Sequence, residues 1–409
     1  MNVPKLRFKA DDGSEFPEWE EKKLGNLFPY IRNGFVGVVT DYFCSRDEGV
    51  EYIEGTNIHD GHIDDVIDLY VTHEFDERHI NSRLKKDDIV MVQSGHVGEC
   101  AVVGSHHENA NCHALIVMSN GGHVVSEFYV AYFYSGSGKN VISFIQTGNT
   151  VKHILASEMK KIIVPYPSLP EQQKIASFLS TIDEIIQSTE SELTAWQERK
   201  KGVMQKIFNR EVRFKADDGS EFPEWEEKRL GEVCDIVGGG TPDTEKAEYW
   251  GGDVNWFTPS EIGETKYVVK SNRQISKLGL LKSSAKLLPQ GTILLTSRAT
   301  LGEMAIVKQE CCTNQGFQSL IVKQECLNEF IYYYQPIIKR YCEKHASGST
   351  FLEISKKEIS GCKLGVPSLP EQRKIAECLS SLDDVINQID AELSAWKEFK
   401  KGLLQQMFV

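Results

Sequence analysis

An internal duplication constrains the fold of this chain more than any other feature of its sequence. Residues 7–25, RFKADDGSEFPEWEEKKLG, return as residues 213–231 with one conservative change in 19 positions. Residues 167–208 return as residues 367–408 with 23 identities in 42 positions. What lies between the repeated pieces is far less alike. A repeated frame that carries two divergent inserts predicts two similar halves with different binding surfaces.

Composition predicts a globular protein of two domains. The chain has 409 residues, of which 40% are hydrophobic, and a net charge of -13. No stretch is long and apolar enough to cross a membrane and the charged start does not resemble a signal peptide, so we expect a cytoplasmic protein. The first insert (26–166) has 10 basic and 18 acidic residues, and the second (232–366) has 16 and 15. An acidic first insert cannot hold a phosphate backbone tightly alone, so a partner would have to supply positive charge.

Cysteine and histidine patterns predict neither disulfides nor a metal site. The ten cysteines form no regular framework, and we expect buried free thiols. Ten of the eleven histidines lie in the first insert, including His59, His62, His106, His107 and His113. Zinc sites typically use short, regular ligand spacings, which these histidines lack, so we expect no bound metal.

The repeated segments 167–208 and 367–408 each predict one long helix. Their apolar side chains recur at alternating steps of four and three residues, the 3.5-residue period of a coiled-coil seam. Each helix would be about 55 Å long, and two matching seams favour mutual pairing over separate packing on a globular core. The predicted seam residues are Ile175, Leu179, Ile182, Ile186, Leu193, Trp196, Ile375, Leu379, Leu382, Ile386, Leu393 and Trp396.

Both inserts combine short β-rich runs with helical spacing, so they predict one shared α/β fold. The predicted strands are 88–93, 100–104, 113–118, 291–297, 304–307 and 317–322, and the predicted helices are 126–136 and 328–345. The expected boundaries are 1–166 for a first domain, 167–208 for a first long helix, 209–366 for a second domain and 367–409 for a second long helix.

Several motifs in the second half resemble the specificity subunit of type I restriction-modification systems. They are GGGTPDTEKAEYWGGDVNWFTP (238–259), TSRATLGEMAIV (296–307) and TNQGFQSLIV (313–322), followed by PSLPEQRKIA. Each string alone is weak evidence, but the ordered and duplicated set covers nearly the whole chain. It amounts to two target-recognition domains, each followed by a long helix that begins at an LPEQ motif.

The resemblance implies an α+β fold in which two target-recognition domains are joined by two long antiparallel coiled-coil helices with a pseudo-twofold internal repeat. It implies a non-catalytic subunit that binds double-stranded DNA, each domain reading one half of a bipartite asymmetric target while the helices set the spacer. The implied partners are two methyltransferase subunits, docked on the helices, and endonuclease and translocase subunits. Those partners would carry S-adenosylmethionine, ATP and Mg²⁺, and this chain no cofactor.

Candidate DNA contacts in the second domain lie in three loops. Glycine allows a close backbone approach, threonine suits phosphates or bases, and arginine can contact guanine with two hydrogen bonds. Asparagine and glutamine suit adenine, although either amide could instead bond to its own turn. The candidates are Gly239, Gly240, Thr241, Ser297, Arg298, Thr300, Asn314 and Gln315.

Alignment of the first insert yields the corresponding candidates. Gln93, Ser94 and His96 fall opposite Ser297, Arg298 and Thr300, and Asn111 falls opposite Asn314. The arginine has become serine, as different base preferences would require. Asn57, His59 and Lys152 are secondary candidates.

Three other functions are open to test. Pro242-Asp243 followed by Glu264-Thr265-Lys266 superficially matches the PD-(D/E)xK pattern of metal-dependent nucleases, but the aligned loop of the first half has no equivalent. A methyltransferase would need a catalytic NPPY-like tetrapeptide and a glycine-rich cofactor loop, and neither occurs. A coiled-coil adaptor that binds only proteins fits the acidity but leaves the divergence of the inserts unexplained.

Overall fold

The chain folds as two compact units, of which the first is assembled from two separate parts of the sequence and the second is continuous. The computed structural model describes residues 4–348 and 352–408. The first unit combines Met1–Ser191 with Asp390–Val409, and the second is Glu192–Ile389. Among the described residues, no helix is long and apolar enough to span a membrane.

The first unit is built on a buried antiparallel sheet. Its four strands lie in the order Tyr30–Asn33, Leu115–Ser119, Ile89–Val92 and Cys100–Val102. The two central strands are short runs of valine, isoleucine, leucine and methionine, because apolar side chains cover both of their faces. The unit's other strands are Glu20–Lys23, Gly49–Ile53, Ile58–His59, His62–Ile63, Tyr70–Thr72, Asn111–Cys112 and Ile163–Tyr166. Its helices before the first long helix are Leu24–Leu27, His73–Arg78, Ser126–Tyr134, Gly136–Ile145 and Ala156–Met159.

The second unit repeats this arrangement with one additional edge strand. Its main sheet runs in the order Cys234–Gly238, Gln318–Val322, Ile293–Leu295, Met304–Val307 and Tyr267–Val268. The other strands are Glu226–Arg229, Trp250–Phe257, Arg273–Ile275, Cys311–Thr313 and Lys363–Val366. Its helices before the second long helix are Leu230–Val233, Lys277–Leu281, Asn328–Tyr332, Gln335–His345 and Lys356–Ser360. Every strand predicted from the two inserts is present, with ends that differ by no more than two residues.

One predicted helix is divided in two. Residues 328–345 form helices Asn328–Tyr332 and Gln335–His345, with Tyr333 and Tyr334 in a turn between them. Pro336 explains the break, because proline lacks an amide hydrogen and clashes with the preceding turn of a continuous helix. The second of these helices therefore begins next to Pro336, where proline is tolerated.

The two long helices, Leu169–Phe208 and Leu369–Met407, pack antiparallel within each unit. In the first unit, Ile175 and Leu179 share a core with Leu403 and Met407. In the second unit, Ile375 and Leu379 share a core with Ile207. The predicted seam positions are all buried or half-buried: Ile175, Leu179, Ile182, Ile186, Leu193, Trp196, Ile375, Leu379, Leu382, Ile386, Leu393 and Trp396. The predicted seam residues therefore lie on the less exposed face of both helices.

Lys200 and Lys400, which continue the seam spacing four residues after Trp196 and Trp396, form ion pairs instead of apolar contacts. Lys400 pairs with Asp183 in the first unit, and Lys200 pairs with Asp383 in the second. A further pair, Lys397 with Glu190, has an N–O distance of 2.6 Å. In these pairs, higher residue numbers on the first long helix go with lower residue numbers on the second, which shows that the helices are antiparallel.

The LPEQ motif at the start of each long helix attaches that helix to the repeated N-terminal frame. Arg7 donates from Nε and Nη2 to the two carboxylate oxygens of Glu171, at 2.9 Å each. Arg213 makes the same contacts with Glu371, at 3.2 and 3.0 Å. Both glutamates are fully buried. Two-pronged pairs of this kind fix orientation as well as distance, so the repeated frame holds the start of each long helix in the same way.

The glutamine of each LPEQ motif binds the neighbouring α/β domain. Gln172 accepts a hydrogen bond from the Val125 amide and donates to the Pro167 carbonyl. Gln372 accepts from the Leu327 amide and donates to the Pro367 carbonyl. Since both side chains are fully buried, leaving either amide unpaired would be costly. The repeated motif therefore sets where each domain meets its helix.

All ten cysteines are free thiols, as expected. Eight are buried, and Cys44 and Cys378 are half-buried. Burial raises the pKa of Cys342 and of Cys362 to about 12, so these thiols remain protonated and unreactive.

Candidate nucleic-acid interface

Equivalent loops follow the third strand of each main sheet. Ile154 N donates to Gln93 O at 3.0 Å, and Ile354 N donates to Ser297 O at 3.2 Å. The loops therefore share a backbone arrangement, and it agrees with the sequence alignment. The equivalent pairs are Gln93 and Ser297, Ser94 and Arg298, His96 and Thr300, and Gly98 and Gly302.

The first residue of each loop is less accessible than the sequence suggested. Ser297 is fully buried, so its hydroxyl is not exposed at the surface where the predicted DNA contact would be made. Its Oγ and the Gln93 Oε1 are both buried atoms without a hydrogen-bond partner among the described residues. Unpaired buried polar atoms are rare in folded proteins. Their recurrence at one equivalent position distinguishes these loops from ordinary turns.

Arg298 occupies the exposed second position of its loop. Its guanidinium pairs with Glu353 at 2.9 Å, and both side chains are about 40% exposed (44% and 38%). Such an exposed pair contributes little to stability, so the arginine can exchange its carboxylate partner for another acceptor. The equivalent Ser94 is exposed and forms a backbone bridge with His153.

The third position of the loop is exposed in both units. Thr300 lies beside the Pro259 carbonyl, with its Oγ1 at 3.4 Å. Its counterpart His96 is also exposed. Gly302 and Gly98 then close the loops at positive φ, 84° and 101°, which favours glycine at this point.

Three of the other second-domain candidates meet at one place. The Thr241 hydroxyl donates to the Gln315 side-chain oxygen, and Gln315 is exposed. Asn314 precedes Gln315, but its Oδ1 accepts from the Gly316 amide at 2.8 Å. The alternative of a turn amide thus holds for Asn314, while the side chains of Thr241 and Gln315 remain at the surface.

Gly239 and Gly240 serve the fold rather than a ligand. A Cβ atom on Gly239 would lie 2.0 Å from the Asn314 carbonyl oxygen, and one on Gly240 would lie 2.2 Å from Ser284 Oγ. The Gly240 amide and carbonyl are bonded to Thr313 and Trp256. The expected close approach is therefore to the protein's own chain, and its effect is to present Thr241.

Asn111 is not the counterpart of Asn314, so that prediction is wrong. The amide of His113 donates to Ile53 O, as the amide of Asn314 donates to Phe257 O. His113 therefore occupies the position of Asn314. It lies within 3.0 Å of a Glu54 carboxylate oxygen.

The Asn111 side chain is a buried structural group. It is fully inaccessible and donates to Asp76 Oδ1 at 3.0 Å and to the His79 carbonyl at 3.2 Å. Burial alone would raise the pKa of Asp76, but hydrogen bonds from Arg83 and Asn111 lower it overall. A direct DNA contact by Asn111 is therefore inconsistent with the structure.

The secondary candidates fall into two groups. Asn57 is used locally, because its Oδ1 accepts from the Glu54 amide at 3.0 Å and its Nδ2 lies 3.4 Å from Asp64. His59 and Lys152 are exposed. Lys152 precedes His153, so it lies beside the candidate loop, whereas His59 faces Asp64.

Sequence reasoning missed several exposed apolar residues near the first-unit loops. Val36 occupies the position equivalent to Thr241, because Phe35 and Gly240 donate equivalent hydrogen bonds, and it is 63% exposed. Phe144 is 91% exposed and follows Ile142, whose side chain lies against the loop glycine Gly98. Exposed aromatic side chains can stack on bases or enter a partner's pocket. The apolar side chains of Val36 and Phe144 near loop ends were the sequence signal that could have identified them.

The side chains of the nuclease-like pattern take separate structural roles. Lys266 Nζ is 2.9 Å from the Tyr333 hydroxyl and 3.5 Å from Ser380 Oγ on the second long helix. Asp243 instead closes its own turn by accepting from the Glu245 amide. The lysine is therefore engaged with the helix, and these contacts do not support the nuclease alternative.

Comparisons with known proteins agree with this architecture. The family model described as the type I restriction modification DNA specificity domain matches residues 17–195 and 223–395. The MjaIX specificity subunit of Methanocaldococcus jannaschii is 34% identical over 207 residues, which span 49% of this chain and 48% of that relative. The chain thus matches about half the length of that protein.

Two further matches extend over nearly the full length. The putative MjaX specificity subunit of the same organism is 26% identical over 97% of this chain and 94% of its own. The crystal structure of a type I restriction-modification S subunit from M. genitalium superposes with a TM-score of 0.60 at 19% identity, covering 100% of this chain and 99% of that one. The relatives are specificity subunits, which agrees with the expected non-catalytic role. Two copies of the family domain cover most of the sequence, and the chain therefore belongs to the type I restriction-modification DNA specificity family.

Proposed function

We propose that each α/β domain of this chain reads one half of a bipartite, asymmetric DNA target, and that the paired helices set the spacer between the halves. On this proposal the recognition domains are 1–166 and 209–366, and the helices are 167–208 and 367–409. Two methyltransferase subunits dock on the helices, and endonuclease and translocase subunits join them. The chain works in the cytoplasm, where its DNA substrate lies.

The observation that carries the proposal is the pair of equivalent loops with different side chains. The backbone of the two loops is held by the same hydrogen bonds, while Arg298 stands opposite Ser94 and Thr300 opposite His96. Arginine and serine differ in the bases that they can read. A shared framework with different exposed groups is what two half-sites of different sequence require.

The helix pairing supports a fixed spacer. A 40-residue helix is about 60 Å long, and antiparallel packing with buried apolar contacts stiffens each end of the pair. Protein dimers with two recognition elements read half-sites at a defined separation along the DNA. Helix length is therefore the quantity that the spacer should follow.

Methylation-sensitive sequencing of DNA modified by the assembled complex tests the proposal. We expect one bipartite motif with two dissimilar halves and a constant gap. A complex that forms and methylates a single continuous motif would contradict the two-domain assignment. A chain that binds its methyltransferase partner but supports no sequence-specific modification would favour the protein-only adaptor.

A matched pair of helix insertions tests the spacer. Seven residues added after Leu193 and seven after Leu393 preserve the seam period and lengthen the pair by about 10 Å, or about three base pairs. We expect a longer gap with unchanged half-sites. Substitutions of the same number of exposed helix residues, without insertion, are the control and should leave the gap unchanged. An altered half-site with an unchanged gap would contradict the role of the helices.

A further inference from the structure

A cluster of three potential metal ligands lies in the first unit, where a strand meets a loop that is longer than its counterpart in the second unit. The ligand atoms of Glu51, His106 and His107 are all within 4.8 Å of one another. Glu51 lies on strand Gly49–Ile53, and the two histidines lie in a short 3-10 turn, Ser105–His107. We propose that this cluster binds one divalent transition-metal ion, with Zn²⁺ as the best chemical fit.

The distances suit a tetrahedral ion. His107 Nδ1 lies 3.0 Å from the Glu51 carboxylate oxygen, and the histidine side chain is only 6% exposed. In a tetrahedral zinc site with bonds of about 2.0 to 2.1 Å, neighbouring ligand atoms are about 3.3 Å apart. The histidine and glutamate are therefore already near the required separation.

The second histidine completes a two-histidine, one-carboxylate set. The rings of His106 and His107 have centroids 4.9 Å apart and planes inclined at 74°. His106 is exposed, so a side-chain rotation can bring its nitrogen to the ion at little cost. Its exposure also leaves a path for the ion and room for a water molecule as the fourth ligand. Two imidazoles and one carboxylate are a known zinc ligand set.

The histidines belong to an insertion specific to the first unit. Val103 and Val307 occupy equivalent positions, since each donates its amide to the residue before the third strand of its sheet. The next equivalent residues are Cys112 and Thr313. The segment that connects the two equivalent positions is 104–111 in the first unit and 308–312 in the second. Three extra residues thus accompany the histidine pair.

The glutamate is also specific to the first unit. Tyr52 pairs with Asn111, and Trp256 pairs with Cys312, which places Asn255 at the position of Glu51. Asn255 is committed to the Ser271 amide, at 3.2 Å. All three ligands of the first unit therefore lack a counterpart in the second.

A bound ion would connect the Ser105–His107 turn to the strand that leads into the candidate interface. Residue 54, which follows strand Gly49–Ile53, contacts His113, the counterpart of Asn314. The ion would also offset part of the negative charge of the first insert.

Zinc titration of the purified full-length chain, stripped with a chelator and carrying no histidine tag, tests the proposal. We expect one Zn²⁺ per chain by calorimetry and an increase in thermal unfolding temperature on adding Zn²⁺. Tetrahedral Co²⁺ absorption from the same site would report two nitrogen ligands and one oxygen ligand. Absence of stoichiometric binding would overturn the proposal.

Three variants and one control assign the ligands. His106→Ala removes an exposed ligand and should leave the fold intact while weakening Zn²⁺ binding at least tenfold. His107→Gln and Glu51→Gln should do the same. His123→Ala removes another exposed histidine of the same unit and should leave zinc affinity unchanged. Equal affinities in His106→Ala and wild type, or an equal loss in His123→Ala, would contradict this ligand set.

Discussion

The two units share the contacts that attach domain to helix but differ in how one surface loop is anchored. Each has an arginine–glutamate pair at its LPEQ motif and an aspartate–lysine pair along the helices. In the second unit Tyr333 also bridges Lys266 and Asp383, with O–N and O–O distances of 2.9 and 2.6 Å.

The bridge cannot form in the first unit. The amides of Val125 and Leu327 bind equivalent glutamines, which places Ala131 at the position of Tyr333. Alanine has no hydroxyl, so Asp183 pairs with Lys400 but does not reach a loop lysine through a tyrosine. The duplication therefore preserved the attachment of each domain, while the support of individual loops diverged.

The largest effect should come from the shared attachment. Glu171→Ala and Glu371→Ala each leave a mostly buried arginine without its carboxylate, and each should lower the free energy of unfolding of its own unit by about 3 kcal/mol. Denaturant unfolding, with hydrogen exchange to separate the units, measures this loss.

Exposed Glu377 on the second long helix offers a control. Glu377→Ala should change stability by less than about 0.5 kcal/mol. Markedly unequal losses from the two buried glutamates would show that the attachments are not equivalent.

Acid sensitivity should distinguish the units. The pKa of Asp76 is lowered in the folded state, because hydrogen bonds from Arg83 and Asn111 outweigh burial. Its contribution is therefore present above the unfolded pKa and lost as pH falls through the lower folded value. Asp76→Asn should cost the first unit about 2 to 3 kcal/mol near pH 7 and flatten its stability loss between about pH 5 and pH 3.

The second unit serves as the internal reference for that experiment. Thr72 and Ser276 cap equivalent helices, so Leu280 occupies the position of Asp76 and carries no charge. Hydrogen exchange measured across this pH range should show no effect of Asp76→Asn on the second unit. If the stability of the first unit in Asp76→Asn depended on pH as it does in the wild type, Asp76 would not be the cause of the acid sensitivity.

Arg298 should distinguish the two proposed half-sites. Arg298→Ala should weaken binding by about 1 to 3 kcal/mol for targets that retain the base contacted by the arginine. Affinity measured with the assembled complex, on targets substituted at one half-site at a time, checks this. Ser94→Ala is the matched change in the other loop and should affect only the other half-site. Uniform weakening on every sequence would assign Arg298 to a phosphate.

The tyrosine bridge should have the smallest effect. Tyr333→Phe removes one hydroxyl between two charged groups and should destabilise the second unit by about 1 kcal/mol. Burial lowers the pKa of Lys266, although Asp383 opposes that shift, and loss of the hydroxyl should alter its titration as measured by NMR. Tyr332→Phe is the neighbouring control. An unchanged Lys266 signal would show that the bridge does not hold the loop.

The sequence predicted most of the framework because the duplication supplied an internal reference. Strands and seam positions recur at nearly constant offsets between the two halves, and the spacing of apolar residues along the sequence indicates which segments are helices and which are strands. The loop alignment of Ser94 with Arg298 also followed, since Gly98 and Gly302 close the two loops at the same position. These features depend on local pattern and on repeated contacts.

Features that depend on hydrogen-bond register were not predictable. Matching asparagines suggested Asn111 as the counterpart of Asn314, but the three extra residues before Cys112 shift the register and place His113 there. The burial of Ser297 likewise depends on packing above its sheet. Glu51 and His107 are separated by 56 positions, so no short spacing could reveal their contact.

The division of the chain between the two units has a consequence for synthesis. The second unit, Glu192–Ile389, is continuous, whereas the first requires Asp390–Val409 in addition to its N-terminal part. Phe408 packs against Trp19 and Phe128 in that unit. Ordinarily the N-terminal domain folds first on the ribosome. In this chain the first unit cannot finish folding until the end of the second long helix has been synthesised. Until then, the apolar surface around Trp19 remains exposed to solvent.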